Sequence, residues 1–206
     1  MDSDEVRQTW ADRTGEYSPA YYAYYGPDET SERLRRVLAE RVGRSGAVLE
    51  LGCSSGRHLA ALHEDGFTDL AGVEVNEDAF AVMADQYPDL HDAGTFFADA
   101  LEAVLPEFPE DRFDAIYSVE TMQHVHPDAD WVFAEVARVA ADVVVTVEHE
   151  GTPEDRGTAD PGVNYVHDDV PLYYRDWHAI FTDLGMVEVE SWTERRDTGR
   201  VFAHSP

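Results

Sequence analysis

An apolar run that breaks into glycines and then feeds a helix can bring bare backbone amides close to a ligand, and the helix N-terminus adds partial positive charge. Val48-Leu49-Glu50-Leu51-Gly52-Cys53-Ser54-Ser55-Gly56 has that form. The residue types narrow the ligand. A dinucleotide fingerprint, G-x-G-x-x-G, would need glycines where Ser54 and Arg57 stand, which disfavours nicotinamide and flavin cofactors. A P-loop needs a Gly-Lys-Ser/Thr ending, and the chain contains no lysine. The letters at residues 52–56 also satisfy the nucleophile elbow G-x-S-x-G. That elbow draws a second oxyanion-hole amide from an earlier strand and loop, whereas this run is the first strand of its sheet; the elbow is kept as an alternative. Glu74 closes the next apolar run 22 positions after Gly52. A carboxylate at a spacing of about 20 can accept both hydroxyls of a ribose. Asn76 is placed to cap the helix that follows, which leaves Glu74 available to a ligand.

The loop resembles the first motif of the class I S-adenosylmethionine-dependent methyltransferases, an acidic residue followed by Gly-x-Gly-x-Gly, with Ser54 in place of the usual middle glycine. Ala71-Gly72-Val73-Glu74-Val75-Asn76 is similar to the second motif. Phe97-Ala98-Asp99-Ala100-Leu101 resembles the family's third, in which the Asp meets the adenine amino group. Phe113-Asp114-Ala115-Ile116-Tyr117-Ser118-Val119-Glu120 resembles the strand whose end meets the methionine part. The likeness continues through Arg138-Val139 and through Arg175-Asp176-Trp177 to Leu184-Gly185-Met186. It implies S-adenosyl-L-methionine as cofactor, held by Glu50, Gly52, Cys53, Ser54, Gly56, Glu74, Val75, Asp99, Ala100, Ser118 and Val119. It also implies in-line transfer of the sulfonium methyl to a nucleophile with no covalent enzyme intermediate, the protein supplying position, dryness and removal of any proton.

His124 and His126 follow the fourth motif, where the family places acceptor-facing residues, and either imidazole is a candidate general base. The family also uses histidine there structurally. No metal is expected at His124, His126 and Asp128, because nothing in the sequence supplies partners to orient the imidazoles. Trp10, Tyr17, Tyr21, Tyr22, Tyr24 and Tyr25 crowd into one short stretch. A desolvated cation over such a ring gains about 2 kcal/mol, so the stretch suits a cap over a cationic cofactor, although most of these rings are expected simply to pack. Tyr21, Tyr25 and His149 are the candidates for the acceptor side.

The elements that must position these residues follow from hydrophobic period. Short β-branched runs alternate with helical periods from residue 47 onward, which predicts a Rossmann-like, doubly wound α/β sheet of seven strands, mostly parallel, with an antiparallel C-terminal hairpin. Strands are expected at 47–51, 70–75, 95–98, 113–119 and 142–148, and helices at 30–42, 57–65, 77–87, 128–140 and 174–184. Residues 149–170 read as a long polar loop. Residues 186–192 and 200–203 read as a hairpin turning at Asp197-Thr198-Gly199. The 206 residues fit one domain: an aromatic cap and covering helix at 1–46, a cofactor-binding core at 47–148, and an acceptor side at 149–206.

Composition bounds the rest. With 43 acidic residues against 15 basic ones, all of them arginine, the net charge is -28. Such a surface repels itself in dilute buffer, but at molar salt the screening length falls to about 3 Å, so the chain suits a salt-loaded cytoplasm. The lone Cys53 excludes an intrachain disulfide and a cysteine-rich zinc site. No secretion signal or membrane span is expected, and the protein reads as soluble and cytoplasmic. A small-molecule acceptor is favoured over nucleic acid, since the surface repels phosphates and no second recognition domain is present. In addition, Ser118-Val119-Glu120-Thr121 stands where enzymes of base or glutamine amides carry Asn/Asp-Pro-Pro-Tyr/Phe. A nucleic-acid or protein methyltransferase, or a non-catalytic cofactor-binding module, remains the alternative.

Overall fold

The computed structural model describes residues 1–156, 162–166 and 170–204. Three helices lead in: α1 (Ser3–Ala11), α2 (Pro19–Tyr25) and α3 (Glu29–Arg41). The core then alternates β1 (Ala47–Leu51), α4 (Arg57–Glu64), β2 (Asp69–Glu74), α5 (Asp78–Gln86), α6 (Pro88–Ala93), β3 (Thr95–Ala98), α7 (Leu101–Val104), β4 (Phe113–Val119), α8 (Val132–Val139) and β5 (Ala140–Glu148). After it come β6 (Gly162–Val166), β7 (Val170–Tyr174), α9 (Trp177–Asp183), β8 (Met186–Glu194) and β9 (Asp197–His204).

Seven strands form one sheet in the order β3-β2-β1-β4-β5-β9-β8. Strands β1 to β5 pair in parallel, and β9 runs antiparallel to both β5 and β8. Helices cover both faces. On one, Val132, Phe133, Val136 and Val139 of α8 recur at helical spacing and bury with Trp177 and Phe181 of α9 against Leu49, Ile116 and Val144. On the other, Leu34 and Leu38 of α3, Leu59 and Leu62 of α4 and Met83 of α5 pack on Val48, Ala115 and Val145. Burial on both sides is why β1, β4 and β5 read as continuous apolar runs. Strand order reverses between β1 and β4, and the crevice beyond their carboxyl ends is where ligands bind in open sheets of this kind.

Four sequence expectations change. The helix expected at 128–140 is a short 3-10 turn, Pro127–Ala129, followed by α8, because His126 Nδ1 accepts from the Asp128 amide and closes the turn early. Within residues 149–170, read as a loop, Gly162–Val166 pairs antiparallel with Val170–Tyr174 as a separate two-stranded sheet. Helix α9 starts at Trp177, where Asp176 Oδ1 accepts from the Ala179 amide, and Tyr174 belongs to β7. The last hairpin turns at Arg195 and Arg196, Arg195 taking φ +52°, two residues before the expected Asp197-Thr198-Gly199. Gly199 serves another purpose: a Cβ there would lie 2.0 Å from Trp192 Cε2 on the facing strand, so the glycine makes room for the indole. Among the described residues no helix is long and apolar enough to cross a membrane.

Candidate active site

The ends of β1, β2, β3 and β4 open on one cleft of about 170 Å³, roofed by α1, α2 and the segment between them. Of the residues singled out from the sequence, Glu50, Gly52, Cys53, Ser54, Glu74, Val75, Asp99, Ala100, Val119, His124 and His126 line it; Gly56, Ser118, Tyr21, Tyr25 and His149 do not.

The glycine loop is built on left-handed backbone. Gly52 (φ +67°), Ser54 (φ +49°) and Gly56 (φ +81°) alternate in that region. A Cβ at Gly52 would meet Thr121 Oγ1 at 2.2 Å, so this glycine allows the loop to abut the turn after β4. Ser54 adopts the backbone that a glycine would take without strain, and its amide is held at 2.9 Å by Glu74 Oε2. Glu74 Oε1 accepts from the Asn76 amide at 2.8 Å. One carboxylate thus ties the loop to the end of β2 and still has unused lone pairs. Gly56 instead supports the loop from behind, at the head of α4, its amide donating to the Cys53 carbonyl.

Three carboxylates, Glu50, Glu74 and Asp99, follow three neighbouring strands into the same cleft. Burial pushes Glu50 up to about 8, against the opposing pull of the Tyr117 hydroxyl that donates to its Oε2 at 2.9 Å. Burial also raises Glu74. Such a wall offers acceptor oxygens to hydroxyls and amines, and a cation bound there favours their ionised form.

The roof is tied down at several points. Asn76 Nδ2 donates to the carbonyls of Arg13 (3.1 Å) and Trp10 (3.4 Å), while its Oδ1 accepts from the Asp78 amide as a cap. Arg7 pairs with Glu102 at 2.9 Å, and Arg57, paired with Asp28 at 2.9 Å, lies over the Tyr22 ring. On α2 the cleft receives Pro19 and Tyr22, with Tyr17 just before the helix. Tyr21 and Tyr25, expected on the acceptor side, share the opposite face one helical turn apart, with ring centroids 5.0 Å from each other. Trp10 is the other aromatic facing in, and its ring lies against His124.

The two histidines do not offer a free lone pair to the cleft. His124 Nδ1–H donates to the Pro171 carbonyl on β7 at 2.9 Å. Gln123 Oε1 accepts from the His149 amide at 2.7 Å, which turns the Gln123 amide nitrogen towards His124 Nε2 at 3.4 Å. Burial holds His124 down at about 4, so both nitrogens of a neutral ring are engaged. His126 Nδ1 accepts from the Asp128 amide, which leaves Nε2 as the N–H in the neutral ring. His149, also expected on the acceptor side, turns its ring to the Arg196 carbonyl at 2.7 Å and edge-on to Tyr174. Ser118 is buried, its hydroxyl donating to Glu148 at 2.5 Å.

Residues 48–142 match the family model described as methyltransferase domain. Over that segment, just under half of its length, the chain is similar to the class I methyltransferases. The chain is 33% identical over 143 residues to methyltransferase GfsG of Streptomyces halstedii, covering 64% of this chain and 49% of the relative. It is 28% identical over 114 residues to O-methyltransferase rstn1 of Aspergillus nomiae, covering 53% and 49% respectively. The chain therefore spans about half the length of each relative. Among solved structures, the 1,6-didemethyltoxoflavin-N1-methyltransferase of Burkholderia thailandensis, with 1,6-didemethyltoxoflavin and S-adenosylhomocysteine bound, has the same fold. The TM-score is 0.71 at 16% identity, covering 99% of this chain and 87% of that one.

Proposed function

We propose that the chain binds S-adenosyl-L-methionine and passes its methyl group to a small organic acceptor. The observation that carries this reading is the convergence of Glu50, Glu74 and Asp99 with the Ser54 loop on one roofed cleft. When bound, the cofactor supplies an electrophilic methyl group on a positively charged sulfur. Glu74 would accept the ribose hydroxyls, Asp99 and Ala100 would face the adenine, and Glu50 with the glycine loop would hold the amino-acid end. The roof excludes water and limits the acceptor to a compact molecule, and two of the relatives are named O-methyltransferases. Replacing Glu74 by alanine removes both the ribose acceptor and the tie on Ser54, and is expected to weaken S-adenosylmethionine binding by about 100-fold in calorimetry. Unchanged affinity would show that the cofactor does not sit there.

We further propose that the protein works in concentrated salt. Its charge of -28 carries no lysine, and arginine ion pairs offset only a minority of the acids. Raising potassium chloride from about 0.1 M to about 2 M should lift the thermal midpoint by about 10 °C or more, as screening removes the self-repulsion. A midpoint that is flat or falling with salt rejects this adaptation.

A further inference from the structure

With both imidazoles engaged, the proton of a hydroxyl acceptor needs another destination. The turn after β4 supplies one. Glu120 lines the cleft with its side chain 31% exposed, and it sits at φ +48°, a strained conformation for a residue with a long side chain. Its carboxyl neighbours that of Asp197, at the start of β9, across the shared guanidinium of Arg196. Asp197 is only 9% exposed, and its Oδ1 finds no hydrogen-bond donor. Arg196 reaches both partners, at 3.1 Å from Glu120 Oε1 and 3.8 Å from Asp197 Oδ1.

We propose that Glu120 is the catalytic base that takes the proton from a hydroxyl acceptor, with Asp197 as the positioning residue that shares the proton and Arg196 as the clamp on the pair. This rests on the methyl-transfer reading above. In that step the acceptor's O–H bond breaks and its proton goes to the carboxyl pair, its oxygen bonds the incoming methyl, and the electrons of the broken C–S bond stay on sulfur.

Two like charges on one guanidinium repel each other, which favours a proton on the buried Asp197. Burial, then the neighbouring Glu120 charge, pushes Asp197 up to about 8. The other groups facing the pair are Glu148 from β5, His124 from the turn, and Tyr22 from α2, whose hydroxyl is raised by burial and by Glu120. A fully ionised pair is therefore a base matched to mildly alkaline solution, where general-base assistance works best.

The test measures transfer of radiolabelled methyl from S-adenosylmethionine to a panel of phenols and aliphatic alcohols across pH, beside calorimetric cofactor binding. For wild type, kcat should rise with pH and level above about 8. Glu120→Gln should lower kcat by about 100-fold and abolish that rise, with cofactor affinity kept within about two-fold. Asp197→Asn should keep transfer but lose the rise towards about pH 8, since the group that holds the proton is gone. Glu120→Gln should regain rate on 4-nitrophenol, whose hydroxyl is already ionised at mildly alkaline pH. A Glu120→Gln variant with the wild-type rate and profile overturns the assignment alone. An absence of transfer by the wild type overturns the methyl-transfer reading and this inference with it.

Discussion

Replacing Glu148 by alanine should destabilise the protein by about 3–5 kcal/mol in urea unfolding, the range found when one side of a buried, fully used polar contact is removed. Glu148 ends β5 with no exposed surface, yet it accepts four hydrogen bonds. The Ser118 hydroxyl donates at 2.5 Å, and the amides of Thr121, Met122 and Gln123 donate at 3.3, 3.2 and 3.2 Å. Alanine would strand all four donors in a dry interior. The same turn presents Glu120, holds Thr121 against Gly52 and seats His124. Cofactor affinity should therefore fall with stability, although Glu148 does not line the cleft. Glutamine keeps one acceptor oxygen and should cost less, about 1–2 kcal/mol.

The glutamine variant also carries a pH signature. Burial raises Glu148 to about 7 in spite of its four donors. A carboxyl raised on folding binds its proton more tightly in the native state. Its contribution is thus complete below the unfolded value near 4.5 and is lost as pH climbs through about 7. Wild-type stability should fall across that window, Glu50 and Asp197 extending the fall to about 8. Glu148→Gln should flatten the lower part of it. A wild-type stability that instead rises from pH 5 to about 8 would mean that these buried carboxyls are ionised in the native protein.

Much of this was readable before any coordinates. Strands buried on both faces must be apolar throughout, so β1, β4 and β5 announce themselves, and the break at Gly52 marks the loop because few residues tolerate its backbone. What escaped depends on partners distant in sequence. Pro171 argues against a strand, yet in a two-stranded sheet an unpaired edge is always at hand for the missing N–H. Gly199 looks like a turn residue until Trp192 is placed opposite it. The tyrosines of α2 are equivalent until the helix has a side to face, since the adjacent pairs Tyr21/Tyr22 and Tyr24/Tyr25 put rings on every side. Glu148 reads only as the charged end of an apolar strand, because its donors lie on the turn after β4, more than 20 residues earlier. Glu120 was visible at the carboxyl end of a central strand, where ligands bind, but its link to Asp197 spans half the core sheet in sequence and could not be read there.

Affinity for S-adenosylmethionine should climb with pH by up to about tenfold per unit until about pH 8, then level, because binding a cation beside Glu50 expels a proton. Glu50 is 2% exposed but opens on the cleft, and at neutral pH its carboxyl, raised to about 8, is mostly protonated. A positive ligand favours the ionised form, so the free energy of its binding is partly spent on deprotonation below that pH. A usual surface carboxylate is already ionised and gives no such slope. Calorimetry at neutral pH in two buffers of different ionisation enthalpy should report release of close to one proton from Glu50. The ligand's own amino group titrates as well, so the decisive quantity is the difference between wild type and Glu50→Gln. That variant cannot ionise, keeps an acceptor for the Tyr117 hydroxyl, and should lose both the extra proton and the slope while its affinity below about pH 6 stays near that of wild type. Equal proton release in the two proteins would place the cofactor's positive charge away from Glu50, and would leave the carboxyl as a buried partner of Tyr117 alone.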